Sequence, residues 1–218
     1  MKFNLEMVIF DFDGVLVDTG MDIANATNFT LTSLGLAELP VDQIMQYIGG
    51  GAEPLLTRCL GERAIELMDQ ALPIFSKRYA QYYCVETVRY PGVLEMLETL
   101  HQAGLRMAIA TNKREPLTHG ILDKLDMKAY FPMVVGPESI TKRKPDPEAV
   151  IKILQAVQIP AGRSLMVGDT AADLLAGQAA GTLTCGVTYG YGSFQEITDC
   201  KPDILIGAIG ELVERLEL

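Results

Sequence analysis

Met7-Val8-Ile9-Phe10-Asp11-Phe12-Asp13-Gly14 is the stretch on which the fold turns. Four consecutive apolar residues suit a strand buried on both faces of a sheet, and the two carboxylates that follow mark its carboxyl end. In an open parallel sheet, ligands bind outside that end. A calcium loop starting at Asp11 would need an oxygen ligand at its fifth position and glycine at its sixth, where the chain has Val15 and Leu16. A plain solvated turn is the remaining alternative for these residues taken alone.

Working outward, similar apolar runs occur at Met107 to Ala110, Met133 to Val135, Leu165 to Val167 and Leu183 to Val187. Between them lie stretches with helical spacing: Val93, Leu94, Leu97 and Leu100; Leu117, Ile121, Leu122 and Leu125; Val150, Ile153, Leu154 and Val157. Alternating strand and helix predicts an α/β fold with a doubly wound, Rossmann-like parallel sheet. From Thr19 to Glu86 that alternation stops. Helical periodicity runs through Ile23 to Leu34, Val41 to Ile48, Leu55 to Leu60 and Ala64 to Tyr82 with no strand between. The expectation is a core made of residues 1–18 and 87–218, with a helical cap domain of residues 19–86 inserted in it. Arg89-Tyr90-Pro91-Gly92 is the predicted return point, since proline sets a turn just before the helix at Val93.

Composition narrows the function classes. The 218 residues are 49% hydrophobic and 21% charged, so a core can be buried and an intrinsically disordered chain is excluded. A formal net charge of −10 argues against nucleic acid or an anionic membrane as the main partner. An anionic small substrate then needs locally concentrated positive charge or a metal. Cys59, Cys84, Cys185 and Cys200 match neither a zinc-site spacing nor a dense disulfide framework, which predicts packed, reduced thiols. Lys2, Asn4 and Glu6 interrupt any apolar signal stretch, and no run of ~18 apolar residues occurs, so a cytoplasmic protein is expected.

Two more strand ends carry polar groups: Thr111-Asn112 after Ala108 to Ala110, and Gly168-Asp169 after Leu165 to Val167. Three such ends would converge on one sheet edge. Asp173 lies four residues after Asp169, so both carboxylates can face one ion if a helix starts there; a helix cap with a first-turn acid explains the pair as well. Lys142-Arg143-Lys144 reads either as a solvated basic run or as a cation aimed inward by the stiff Pro145-Asp146-Pro147 that follows. Gly49-Gly50-Gly51 reads either as a helix-joining loop or as backbone amides presented to a substrate carboxylate. His101 and His119 lack ligand-spaced partners, and Tyr189-Gly190-Tyr191-Gly192 reads as a structural loop after a strand.

With these residues in place, the chain resembles haloacid dehalogenase superfamily phosphohydrolases over nearly its whole length. The four motifs stand in order: Asp11-Phe12-Asp13-Gly14-Val15-Leu16-Val17-Asp18-Thr19, Thr111-Asn112, Lys144-Pro145-Asp146-Pro147, and Gly168-Asp169-Thr170-Ala171-Ala172-Asp173. Val15 stands where many relatives have threonine and Thr170 where many have serine; neither change removes a group the chemistry requires. Within the superfamily the chain most resembles the phosphoglycolate phosphatase group, through Ile48-Gly49-Gly50-Gly51-Ala52, Tyr90-Pro91-Gly92-Val93, Ala110-Thr111-Asn112-Lys113 and Val187-Thr188-Tyr189-Gly190-Tyr191-Gly192.

That resemblance implies a magnesium-dependent phosphatase acting on a small phosphorylated metabolite, with 2-phosphoglycolate the leading substrate. It implies Asp11 as the nucleophile that forms an aspartyl-phosphate and Asp13 as the acid and base. Thr111, Asn112 and Lys144 would bind phosphate. The metal would be held by Asp11, the Asp13 backbone carbonyl and Asp169, supported by Asp173, and the cap loop Gly49, Gly50 and Gly51 would meet the substrate. A phosphomutase of the beta-phosphoglucomutase kind is the rival; those relatives carry a cap arginine beside the helix-joining glycine, whereas this chain has none nearby until Arg58. A dehalogenase fits less well, because its relatives lack the second aspartate found at Asp13.

Overall fold

A computed structural model describes residues 2–218. The chain begins with β1 (Met7–Phe10) and β2 (Val17–Asp18), then passes through four helices: α1 (Gly20–Ser33), α2 (Val41–Met45), α3 (Ala52–Leu60) and α4 (Ala64–Tyr82). It returns through β3 (Val88–Arg89), which pairs antiparallel with β2. The core then alternates α5 (Val93–Gln102), β4 (Arg106–Ala110), α6 (Glu115–Lys124), β5 (Val134–Val135), α7 (Glu148–Val157), β6 (Ser164–Gly168), α8 (Ala171–Ala180) and β7 (Leu183–Val187). It closes with α9 (Phe194–Asp199), β8 (Ile204–Ile206) and α10 (Glu211–Glu214).

Six parallel strands lie in the order β5-β4-β1-β6-β7-β8. The chain builds outward from β1 on one side, then jumps back across β1 to build outward on the other, which places the topological switch point at β1. Register aligns the three central strands, with Phe10 beside both Ile109 and Val167. Their carboxyl ends, bearing Asp11, Thr111 and Asp169, therefore open on one edge.

Alternation along the strands explains the two covered faces. Val8 and Phe10 join Met107, Ile109, Leu165 and Val167 in a core roofed by α5 and α6. Met7 and Ile9 point the other way, with Ala108, Ala110 and Met166, onto α7 and α8. Both faces being buried, the strands read as unbroken apolar runs.

The inserted helices close a separate core of their own around Ile23, Leu31, Ile44, Leu56, Ala71 and Phe75. Two features tie their ends to the sheet domain. The β2–β3 ribbon brings the outgoing and returning chains side by side, and the buried Asp22 carboxylate accepts from the backbone N–H groups of Val85, Glu86 and Thr87 and from the Thr87 hydroxyl. That ribbon, like β8, is too short to announce itself by apolar periodicity. No described helix is long and apolar enough to cross a membrane.

Candidate active site

Asp11, Asp169 and Asp173 bring a carboxylate oxygen each to within 4.8 Å of one another, all buried. Asp11 is the first residue after β1, and its backbone N–H still donates to Val167, so sheet pairing holds it. Asp169 follows β6, and its Oδ2 accepts from the Tyr191 backbone N–H at 2.7 Å. Gly14 leaves the space for this arrangement: its φ of +86° favours glycine, and a Cβ there would fall 2.1 Å from Asp169 Oδ2. Asp173 sits in the first turn of α8 and accepts at Oδ2 from the Thr170 backbone N–H and hydroxyl, a capping box. The helix-cap reading holds for its Oδ2, while its Oδ1 faces the cluster of Asp11, Asp169 and Lys144.

Lys144 is the counter-charge. Its ammonium donates to Asp173 Oδ1 and to the Ala110 carbonyl, each at 2.6 Å, and stands 2.7 Å from Asp11 Oδ1. The contact to Asp11 is a charge contact outside hydrogen-bond angles, so Asp11 Oδ1, like Asp169 Oδ1, is a buried oxygen with no hydrogen bond. Asp11 is raised to about 7: burial pushes it up, Lys144 pulls it back and Asp173 adds to the rise. Burial likewise raises Asp169 well above the usual carboxylate range, with Asp173 and Asp11 adding to the rise. Burial works to lower Lys144, but Asp11 and Asp173 outweigh it and its pKa is raised.

Three carboxylates against one ammonium leave two negative charges uncompensated. With two orphaned oxygens in an all-oxygen set, the residues fit a hard divalent cation rather than zinc. Asp11 and Asp169 offer the free oxygens. Asp173 has both of its oxygens committed to protein donors, which suits a supporting place beside the ion. The Asp13 carboxylate lies outside the cluster, paired instead with Lys113 and Thr19.

The structure adds detail at two of the predicted positions. Both amide hydrogens of the Asn112 side chain are taken, by the carbonyls of Gly49 and Lys144, and its oxygen accepts from the Lys144 N–H. What Asn112 retains for an anion is its backbone N–H; its side chain clamps the helical loop to the sheet edge. The glycine loop touches the site through Gly49 and Gly51, not Gly50, which is absent from the cavity wall and faces Pro54. A short loop between helices gives no sequence signal for which of three glycines turns inward.

A cavity of about 250 Å³ lies between the sheet edge and the inserted helices, with Asp11, Asp13, Thr111 and Asn112 on one side and Ile48, Gly51, Phe75 and Tyr79 on the other. Sequence reading missed a lysine there. Lys113 is buried, its ammonium 3.0 and 3.1 Å from the two Asp13 oxygens and 2.6 Å from the Tyr79 hydroxyl. Burial works to lower its pKa, but Asp13 and Tyr79 prevail and raise it. The signal was its place directly after Thr111-Asn112 at a strand's carboxyl end. The Tyr191 hydroxyl donates to Asp18 and accepts from the Thr19 N–H, so the loop of Tyr189 to Gly192 braces both Asp169 and the start of the helical unit. Arg58 stands over Tyr47 on the helical unit and takes no part in the cavity wall.

A family model described as haloacid dehalogenase-like hydrolase matches residues 8–187. A phosphoglycolate phosphatase of Nitrosospira multiformis is 35% identical over 218 residues, covering 98% of this chain and 96% of that protein. One of Aquifex aeolicus is 35% identical over 213 residues, covering 98% and 97%. Among solved structures, a predicted phosphoglycolate phosphatase from Haemophilus somnus superposes with a TM-score of 0.88 at 27% identity, covering 97% of each chain.

Proposed function

Since the chain belongs to the haloacid dehalogenase-like hydrolase family and is a phosphoric monoester hydrolase, we propose that it hydrolyses 2-phosphoglycolate with magnesium through an aspartyl-phosphate on Asp11. The observation that carries this reading is the Asp11 carboxylate, lodged between Lys144 and the orphaned Asp169 oxygen on the wall of a small cavity.

Hydrolysis of a phosphate monoester is among the slowest uncatalysed reactions, so the site must align a nucleophile and stabilise charge on the transferring group. Asp11 attacks phosphorus: its oxygen forms the new P–O bond as the ester P–O bond breaks. Asp13, held beside the leaving oxygen by Thr19 and Lys113, gives that oxygen a proton. Water then attacks the phosphoryl group, Asp13 takes the water's proton, and the Asp11–phosphorus bond breaks. The sum is one alcohol and one inorganic phosphate per water consumed. Lys144, the Thr111 hydroxyl and the Asn112 backbone N–H hold phosphate oxygens. Asp11 and Asp169, with Asp173 in support and the Asp13 backbone carbonyl as a further donor, would hold magnesium, which would supply charge neutralisation that one lysine cannot.

The helical unit of residues 19–86 serves as the cap that excludes water and bounds the leaving group. Its cavity wall offers no arginine of its own, which favours a phosphatase over a phosphomutase. The four free thiols support a cytoplasmic location. A panel of phosphomonoesters assayed for phosphate release in magnesium buffer tests the reading. The highest kcat/KM is expected for 2-phosphoglycolate; a faster reaction on another ester overturns the substrate, and conversion of a sugar phosphate to its isomer without phosphate release overturns the reaction class.

A further inference from the structure

Three cations line the cavity, and they differ in what already holds them. Arg114 pairs with Glu138 at 2.9 Å and is mostly exposed. Arg143 is exposed, with its guanidinium at the seam against Gly51. Only Lys113 is buried, its side chain 4% exposed. Pairing with Asp13 explains how its charge is tolerated, but not why a cation stands in the cavity wall rather than behind it.

The reaction supplies a reason. An ester oxygen receiving a proton from Asp13 must come within hydrogen-bond reach of it, roughly 2.6–3.2 Å. In 2-phosphoglycolate one methylene separates that oxygen from the carboxylate, so a group bonded directly to Asp13 lies where the carboxylate must go. Lys113 is such a group. Tyr79 adds a second donor: its hydroxyl accepts from Lys113, and its own hydrogen has no acceptor among the described residues. The Lys113 hydrogens face the two Asp13 oxygens and the Tyr79 hydroxyl, so a leaving-group carboxylate would take one of them from an Asp13 oxygen while its other oxygen accepts the phenol hydrogen. From the helical unit, Ile48, Leu72 and Phe75 add apolar wall, with Ser76 and Glu53 as further polar lining.

We propose that Lys113 and Tyr79 are the specificity-determining pair that binds the carboxylate of the leaving group; the inference rests on the phosphatase reading and deepens it. Because Lys113 belongs to the sheet domain and Tyr79 to α4, the pair is complete only when the cap lies on the core. A carboxylated leaving group thereby favours the closed state, and a neutral one does not.

The test compares kcat/KM for 2-phosphoglycolate and for 2-hydroxyethyl phosphate, which replaces the carboxylate by a neutral CH2OH, in wild type, Lys113→Met and Tyr79→Phe. Lys113→Met should lower the ratio of the two by roughly 10- to 100-fold, the worth of a charged hydrogen bond, and Tyr79→Phe by a few-fold. A wild type that prefers 2-phosphoglycolate, combined with an unchanged ratio in Lys113→Met, overturns this inference alone. A wild type that prefers the neutral ester overturns the substrate reading and the inference together. Should Lys113→Met fold poorly with Asp13 left unpaired, Asp13→Asn and Asp13→Asn/Lys113→Met are compared by calorimetry. The ligands are 3-phosphonopropionate and propylphosphonate, which cannot be hydrolysed. Loss of affinity confined to the carboxylated phosphonate supports the pair; equal loss on both overturns it.

Discussion

Lys144 and Lys113 are both buried ammonium groups beside the same Asp-Phe-Asp segment, yet they belong to different mechanical parts. Lys144 is bound wholly within the sheet domain, by Asp11, Asp173 and the Ala110 carbonyl. Lys113 is shared between the sheet domain and the helical unit, by Asp13 and Tyr79. The first arrangement draws nothing from the helical unit. The second spans the seam between the two. On the reading proposed above, chemistry common to all phosphate esters falls to the strand ends, and discrimination among them to a contact made across the cap seam.

The comparison is broken most severely at the nucleophile. Asp11→Asn should lower kcat by roughly 10⁴-fold or more on every substrate while the protein stays folded, because an amide of nearly the same size cannot attack phosphorus. Substantial turnover by the folded variant would remove Asp11 from that role.

Chelation comes next. EDTA should stop the reaction and magnesium restore it, with stability following the charge of the acid cluster. Asp11 is raised from 3.8 to about 7 in the folded protein, so it takes up a proton on folding. A raised carboxyl contributes stability that is fully present below its unfolded value and lost as pH rises through its folded one. Metal-free protein should therefore lose stability between about pH 4 and pH 7, and magnesium should raise Tm more at pH 8 than at pH 5. An equal rise at both pH values would show that the cation does not meet these carboxylates.

Lys144→Met sharpens the contrast between the lysines. Removing one partner of a buried pair costs on the order of 3–5 kcal/mol. Urea unfolding without metal should show this loss for Lys144→Met, and magnesium should recover part of it, since the deficit is of positive charge. Kinetically, the variant should slow all substrates alike, in opposition to the substrate-dependent loss expected of Lys113→Met.

The mildest expected effect lies in the cap loop. Gly51 has φ +93°, and a Cβ there would come within 3.0 Å of the Arg143 guanidinium and 3.3 Å of the Asn112 carbonyl. Gly51→Ala should strain the closed state by about 1–3 kcal/mol and appear as a raised KM, with kcat for p-nitrophenyl phosphate little changed. A loss of kcat with KM constant would place the loop in the chemistry instead.

Much of this was legible before any coordinates. Unbroken apolar runs followed by Asp11, Thr111 and Asp169 announced a parallel sheet with one functional edge, because strands buried on both faces leave no other pattern. The helical stretch between Thr19 and Glu86 was equally visible from its 3.6-residue spacing. Short pieces were not: Val17–Asp18 and Val88–Arg89 form the ribbon at the base of the helical unit, yet two residues carry no periodicity.

Side-chain commitments were also hidden. Asn112 offered a donor in sequence but spends its side chain on Gly49 and Lys144, 63 and 32 residues away. Lys113 followed Thr111-Asn112 in plain view, but its importance depends on Asp13, 100 residues distant, and on Tyr79 across the cap seam. The sequence by itself determined which residues end the strands, since burial of apolar runs is a local, periodic property. Only the tertiary structure decided which lysine pairs with Asp11 and which with Asp13, because an ion pair depends on distance in space, and separations of 133 and 100 residues along a chain do not encode it.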